Sequence, residues 1–315
     1  MDPNTKVFGI LEPTGFSLQS KEKLSRYGEV VEFGGVGLTE FLRVVDFLFI
    51  RLGYRIDEKL LRCATKLKVV CSPTTGTTHL DLDYLYRRNI ELISLKGESE
   101  FLTDIVATPE HTLGLVLCLL RNYKKSLANG YHSQELRLNF MGQDLREQTV
   151  GIIGFGRVGQ RFASYLEAFS ASIRYFDKAP VKSLFEIKSA VNDHSLDDLL
   201  QHSSVVVVCA SYENGDPVVL GENELLRAKG KFLVNTSRGQ NIDEDALINL
   251  IKKDWFSGVA LDVICDWPKW IHSSKWSSLI DRDDFILTPH IAGVTQTALQ
   301  STETFVVDKL IDRVM

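Results

Sequence analysis

The segment Thr149-Val-Gly-Ile-Ile-Gly154-Phe-Gly156-Arg-Val-Gly159-Gln-Arg-Phe-Ala163 constrains the chain more than any other, because it runs an apolar strand through three spaced glycines into a helix. Each glycine meets a separate need. Gly154 permits a tight turn, Gly156 lets backbone approach a pyrophosphate, and Gly159 allows the helix to pack closely on the strand. The helix N-terminus then supplies an anion site. A lone GxGxxG is weak, but the next strand, Ser172-Ile-Arg-Tyr-Phe-Asp177, ends on an acid about 20 residues on. That carboxylate can accept both ribose hydroxyls and repels a 2′-phosphate. The pattern predicts NAD rather than NADP, held by Gly154, Phe155, Gly156, Arg157, Val158, Gly159 and Asp177. Lys178, beside the acid, tempers that preference. The plainer alternative is a glycine turn in a doubly wound sheet with no nucleotide.

The flanks of the fingerprint support an α/β chain. Before it come short apolar runs at Val7–Leu11, Val30–Phe33, Phe47–Arg51, Leu67–Cys71 and Ile90–Ser94, separated by helical patterns such as Ile56–Lys66 and Leu80–Arg88. From Thr108-Pro109-Glu110 the apolar spacing of Leu113, Val116, Leu117, Leu120, Tyr123 and Leu127 predicts one long helix ending near Lys124, Lys125 and Gly130. A second series of strands follows at 149–154, 172–176, 205–209, 232–235, 258–263 and 285–288, and a last helix spans roughly Gln296 to Val314. The fold expected is a Rossmann-type doubly wound parallel sheet plus a smaller flavodoxin-like α/β domain.

Composition sets the outer limits. The 315 residues suit two domains with cores of their own, and 44% hydrophobic with 24% charged residues is globular. Acidic groups (41) outnumber basic ones (36) and no basic run stands out, which argues against nucleic acid or an anionic membrane as partner. Apolar stretches such as Leu113 to Leu120 fall short of the ~20 residues that span a bilayer, and the first residues lack a leader pattern, so a cytoplasmic location is expected. Five scattered cysteines show no metal-ligand spacing, so no metal is expected.

Three further segments, Leu233-Val-Asn-Thr-Ser-Arg238-Gly, Gly258-Val-Ala-Leu-Asp262-Val and Leu287-Thr-Pro-His290-Ile-Ala-Gly293, follow the fingerprint in order. With Asp243-Glu-Asp-Ala-Leu247, the Thr108-Pro-Glu-His111 helix start and Thr74-Thr-Gly76-Thr-Thr-His-Leu-Asp81, they make nearly the whole chain resemble the D-isomer-specific 2-hydroxyacid dehydrogenases. The resemblance implies a nucleotide domain over 107–290 and a substrate or lid domain over 1–106 with 291–315. It places the active site between them and implies a homodimer.

It also implies roles. Arg238 matches the cation that clamps a carboxylate and polarises a keto group, for which a planar guanidinium fork is suited. His290 matches the proton donor and acceptor. Asp262 matches an acid beside the nicotinamide, with a buried cap as its plainer reading. Cys209, Ala210, Ser211, Thr236 and Gly293 match cofactor-lining positions. Backbone N–H groups of Thr75, Gly76 and Thr77 match a loop that receives the substrate carboxylate. Arg51, at a strand end, is a candidate for a further anion contact, against a solvated edge arginine as the plainer reading.

The pattern breaks at one place. The family puts a glutamate five residues after the Asp of Leu-Asp-Val, where it supports the histidine; here Trp267 stands there. Asp266 could rotate into the role, or the indole could line the substrate pocket while His290 works from a lower pKa. The third reading is lost chemistry, leaving an NAD(H)-binding regulator or scaffold.

Overall fold

In this computed structural model, residues 5–129, 135–265 and 275–314 are described. Strands buried on both faces set the architecture, since a strand with no solvent face belongs inside a parallel sheet covered by helices. The chain divides into two units, Met1–Asp104 with Thr295–Met315, and Ile105–Val294.

The first unit runs β1 (Val7–Ile10), α1 (Leu18–Ser25), β2 (Glu29–Glu32), α2 (Leu38–Val44), β3 (Phe47–Phe49), α3 (Glu58–Leu61), β4 (Val69–Ser72), α4 (Leu82–Arg87), β5 (Glu91–Ser94) and α5 (Ser99–Leu102). Its five strands are parallel in the order β2-β1-β3-β4-β5. This is the flavodoxin-like order, whose reversal point lies between β1 and β3. Leu48, Val70, Leu61 and Leu85 lie in its core.

The second unit opens with α6 (Ala107–Leu120) and α7 (Tyr123–Asn129). The single long helix expected from periodicity is therefore broken: Arg121 caps α6, and Asn122 takes φ 51°, a left-handed value that a helix cannot continue through. Then follow β6 (Thr149–Ile153), α8 (Arg157–Ala168), β7 (Ser172–Phe176), β8 (Ala190–Asn192), α9 (Leu196–His202), β9 (Val205–Val208), α10 (Glu222–Arg227), β10 (Phe232–Asn235), α11 (Glu244–Ile251), β11 (Gly258–Leu261) and β12 (Phe285–Leu287). The order β12-β11-β10-β9-β6-β7-β8 is all parallel and reverses between β6 and β9. That is the doubly wound arrangement expected from the sequence. The last helix, α12 (Gln296–Val314), returns to the first unit and packs on β4 and β5.

One stretch among the described residues, Ser99–Leu120, is long and apolar enough on composition to cross a membrane. Its α6 part does something else, since Leu115, Val116, Leu119 and Leu120 are buried in the core of the second unit, where α6 packs against α8, β10 and β11.

Candidate active site

The glycine turn is built as its spacing requires. Gly154 takes φ 89°, and a Cβ there would sit 2.5 Å from the backbone N and Cα of Ala210. Only glycine satisfies both the left-handed dihedral and that approach. A Cβ on Gly159 would strike the carbonyl oxygen of Gly154, so α8 lies flush on the turn. A Cβ on Gly156 would meet nothing within 4 Å. Its lack of a side chain serves no internal packing and leaves room outside the chain. Gly156 is also the N-cap of α8, offers no side-chain acceptor, and no acidic residue occupies the first turn, so the helix end is set for an external anion.

Asp177 closes the turn on its other side. One carboxylate oxygen accepts from Phe155 N at 2.7 Å and the other from Ala179 N at 3.0 Å, and each keeps a lone pair for a ribose hydroxyl. The Phe155 amide is thus spent on Asp177, and its ring stacks on Tyr175 with centroids 3.8 Å apart. Gln160, buried, donates to Phe155 O and Lys182 O and accepts from Leu184 N, which ties α8 to the loop beyond Asp177. Lys178 reaches toward Asp216 at 4.0 Å. Arg157 donates to Ile105 O, and Val158 is half-buried in the first turn of α8. Room at Gly156, an uncapped helix start and a pinned carboxylate fit a dinucleotide.

Across the reversal point, Cys209 donates its N–H to Ile153 O at 2.8 Å. Burial pushes its thiol up to about 12, so it stays protonated and is no nucleophile. Ala210 abuts Gly154, Ser211 is exposed, and Thr236 turns its hydroxyl onto Thr112 of α6 at 2.7 Å. Gly293 is exposed with open space at its Cβ position.

Arg238 leaves the carboxyl end of β10 in a turn held by its own neighbours. Asn235 donates from Nδ2 to Arg238 O at 2.9 Å and accepts at Oδ1 from the Ser237 amide and hydroxyl. The Arg238 Nη1 donates to Ser237 O at 2.6 Å. Burial lowers the guanidinium pKa, yet arginine keeps its proton in proteins.

His290 follows β12 with φ 54°. A histidine in the left-handed region is uncommon and stays there only when its surroundings dictate it. Asp262 is what dictates it. Its side chain is fully buried; Oδ1 accepts from Thr288 Oγ1 at 2.6 Å and Ile291 N at 2.9 Å, and Oδ2 from Ala292 N at 2.9 Å. The His290 N–H donates to Asp262 O at 2.9 Å. Burial alone would raise the Asp262 pKa, but the hydrogen bonds from His111, Thr288, Ala292 and Ile291 outweigh it and hold the carboxylate ionised. The contacts of Asp262 within the chain are therefore those of a buried cap on the His290 turn. His290 is lowered to about 4, first by burial and then by the charge on Arg238, against which Asp262 acts to raise it. Arg238 and His290 thus come from separate strand ends into one electrostatic neighbourhood.

Several supporting residues are not foreseen from the sequence. His111 of α6 sits with Nε2 3.2 Å from Thr288 Oγ1 and 3.5 Å from Asp262 Oδ1, joining the connector helix to the His290 turn. The motif Thr-Pro-Glu-His is the available signal. Asn235 and Asn241 carry no sequence signal beyond their place around Arg238. Asp266 and Trp267 lie outside the described residues. Trp276, from the same aromatic stretch, is fully buried and parallel to Phe285 at 5.7 Å, so it serves packing. Among the described residues no group of three His, Cys, Asp or Glu could hold a metal ion.

The first unit, described by itself, holds the other candidates. In the loop after β4, Thr74 Oγ1 donates to Gly76 O and Leu80 N to Thr77 O, which shapes the Thr75-Gly76-Thr77 run. Arg51 has neither of the surroundings weighed for it. Its guanidinium is paired with Glu303 of α12, itself 1% exposed, and donates to Thr14 O and Gly15 O. A carboxylate of the chain already occupies the position an outside anion would take.

The fold, the reversal point and the glycine turn define a dinucleotide-binding protein. Residues 113–292 match the family described as D-isomer specific 2-hydroxyacid dehydrogenase, NAD binding domain. The chain belongs to that family, and its second unit carries the NAD-binding domain of an NAD-dependent dehydrogenase. It is 27% identical over 320 residues to a glyoxylate reductase of Pyrococcus furiosus, covering 99% of this chain and 92% of the relative. It is 30% identical over 267 residues to a glyoxylate reductase of Thermofilum pendens, covering 82% and 75%. Among solved structures it is similar to a D-lactate dehydrogenase from Aquifex aeolicus complexed with NAD and lactic acid, with 26% identity, a TM-score of 0.80 and coverage of 98% and 95%.

Proposed function

We propose that the chain interconverts a 2-keto acid and its D-2-hydroxy acid, with Arg238 as carboxylate clamp and electrophile and His290 as proton donor and acceptor. The observation that carries the reading is the Arg238–His290 neighbourhood, in which the guanidinium charge acts on the imidazole. When bound, the nicotinamide supplies the hydride in reduction and accepts it in oxidation. Arg238 takes the substrate carboxylate and polarises the keto oxygen, and His290 delivers the proton that balances the hydride. In the opposite direction the imidazole takes that proton back. The names of the glyoxylate reductases and of the D-lactate dehydrogenase support a small 2-keto acid as substrate. Thr75, Gly76 and Thr77 are assigned to substrate binding, and Gly154, Phe155, Gly156, Arg157, Val158, Gly159 and Asp177 to NAD.

The value of about 4 makes His290 neutral at pH 7, ready as a base and poor as an acid. Burial is the larger cause of that value and the Arg238 charge the second; a substrate carboxylate laid on Arg238 offsets the second and so raises the proton affinity of His290 in the ternary complex. The same value is what a second reading draws on: a chain that binds NAD(H) without efficient chemistry, as a regulator or scaffold, has no need of a protonated histidine.

NADH oxidation followed optically against 2-keto acids from glyoxylate and hydroxypyruvate to bulky aromatic ones separates the two, with Arg238→Ala alongside. Turnover that the variant loses by about 10²- to 10³-fold, with NADH affinity retained, is expected. Silence across the panel with NADH still bound sinks the enzyme reading in favour of the regulator. A homodimer is assigned on the exposure of Tyr123, Leu127, Leu138 and Met141 on and after α7, an apolar set left uncovered among the described residues. Light scattering of the wild type and of Leu127→Asp checks it: the variant is expected to be monomeric, and a monomeric wild type ends the assignment.

A further inference from the structure

Asn241 is an amide where the interior would ordinarily hold an apolar residue: it is 1% exposed and lies in the short turn that follows Arg238. Its Nδ2 donates in two directions, to Ala210 O at 2.8 Å and to Ser237 Oγ at 3.0 Å. Its backbone oxygen accepts from Val219 N at 3.0 Å and Leu220 N at 2.9 Å, which anchors it to the loop that leaves β9. Its Oδ1 is buried and has no hydrogen-bond partner among the described residues. A buried acceptor left unsatisfied is a cost that an apolar residue of the same shape would not carry, so what retains the amide is the demand on its donor side.

Those two acceptors stand at the two halves of the active site. Ser237 shares its hydroxyl with Asn235 Oδ1 at 2.8 Å and offers its carbonyl to Arg238 Nη1 at 2.6 Å, so its position sets that of the clamp. Ala210 has its backbone against Gly154, whose turn cannot shift without moving it. The route Gly154, Ala210, Asn241, Ser237, Arg238 is built of backbone and short side chains with little rotamer freedom.

We propose that Asn241 is a positioning residue that couples the cofactor turn to the substrate clamp, so that dinucleotide binding raises the affinity of the Arg238 site for a 2-keto acid. This rests on the roles given above to Arg238 and to the Gly154 turn. A shift of the glycine turn on binding is passed to Ala210 O, and a donor held by both Ala210 and Ser237 moves the clamp with it. Linkage requires the effect to be reciprocal: the keto acid must raise NADH affinity by the same factor.

The test measures the affinity of oxamate, an unreducible isostere of a 2-keto acid, with and without saturating NADH, and that of NADH with and without oxamate. Asn241→Leu and Ser237→Ala are compared with the wild type for binding, glyoxylate turnover and thermal unfolding. In the wild type NADH is expected to tighten oxamate. In Asn241→Leu that gain should fall by about tenfold, while NADH alone binds near its wild-type affinity. Ser237→Ala should lose the same coupling, and the double variant should lose no more than Asn241→Leu, because both remove one link. If Asn241→Leu fails to fold, Ser237→Ala carries the test. A gain preserved in the variants, a wild type in which NADH adds nothing to oxamate, or a loss confined to the unfolding temperature would each overturn the proposal. A wild type that binds neither NADH nor oxamate would instead overturn the catalytic reading beneath it.

Discussion

The two sheets obey one topological rule and use it in opposite ways. Open parallel sheets present a crevice at the carboxyl ends of the strands where their order reverses. In the first unit that point lies between β1 and β3, and the chain fills it: Glu12, just past β1, accepts from Arg51 N at 2.6 Å and Gly53 N at 2.8 Å. The Arg51 guanidinium meets Glu303 of α12, whose other oxygen accepts from Ser17 N at 3.0 Å. In the second unit the point lies between β6 and β9 and its surroundings are left unfilled, with Gly156 facing open space and the start of α8 uncapped. A reversal point is an opportunity, and what decides whether it binds a ligand is whether the chain supplies its own charges to it.

The contrast can be broken first at the filled crevice. Glu303→Gln leaves the half-buried Arg51 charge without its counter-ion and should destabilise the fold by about 3 kcal/mol in urea unfolding, with NADH affinity unchanged. A loss below about 0.5 kcal/mol would mean that the pair behaves like a surface salt bridge. At the open crevice the two glycines should separate. Gly154→Ala meets the Ala210 backbone at a left-handed φ, so a loss of about 2 kcal/mol in stability is expected. Gly156→Ala has room and should melt as the wild type does, yet bind NADH roughly tenfold more weakly, because the added methyl stands where the ligand backbone must come. Unchanged NADH titration in Gly156→Ala would place the pyrophosphate elsewhere.

The smallest expected effect is on pH. His290 lies at about 4 in the folded chain against an ordinary 6.5, so between those values the unfolded chain binds more protons. Stability therefore rises with pH across that window and is lost as pH falls from 6.5 toward 4. The kcat/KM of keto-acid reduction, which reports the free enzyme, should climb over the same descent as the imidazole gains its proton, and that of hydroxy-acid oxidation should stay level above it. A reduction rate constant down to pH 5 would remove His290 from the proton path.

How far this site is legible in the sequence follows the range over which each residue's requirement acts. Gly154, Gly156 and Gly159 answer to a turn completed within a few residues, so their spacing alone discloses the strand, turn and helix. Asp177 is legible because β7 follows directly. Arg51 is not, because its partner, Glu303, stands 252 residues away on a helix that returns from the end of the chain. The long connector helix breaks at Asn122 through a backbone angle that apolar periodicity does not report. Asp262 gives no sign that its carboxylate is used on Thr288, Ile291 and Ala292, since that depends on β11 and β12 lying side by side. Asn241 lies close behind a recognisable motif, and only the approach of Ala210 from another strand shows what its amide does.

The return of α12 to the first unit has a consequence for the order in which the chain is made. Residues 105–294 have all left the ribosome before the helix that bears Glu303, so the second unit can mature while the first still lacks Val306, Val307, Leu310 and Ile311, which α12 buries. Until then the carboxylate that answers Arg51 is absent and the apolar ground on β4 and β5 stands uncovered, the kind of surface that chaperones recognise. The half of the molecule that begins first is finished last.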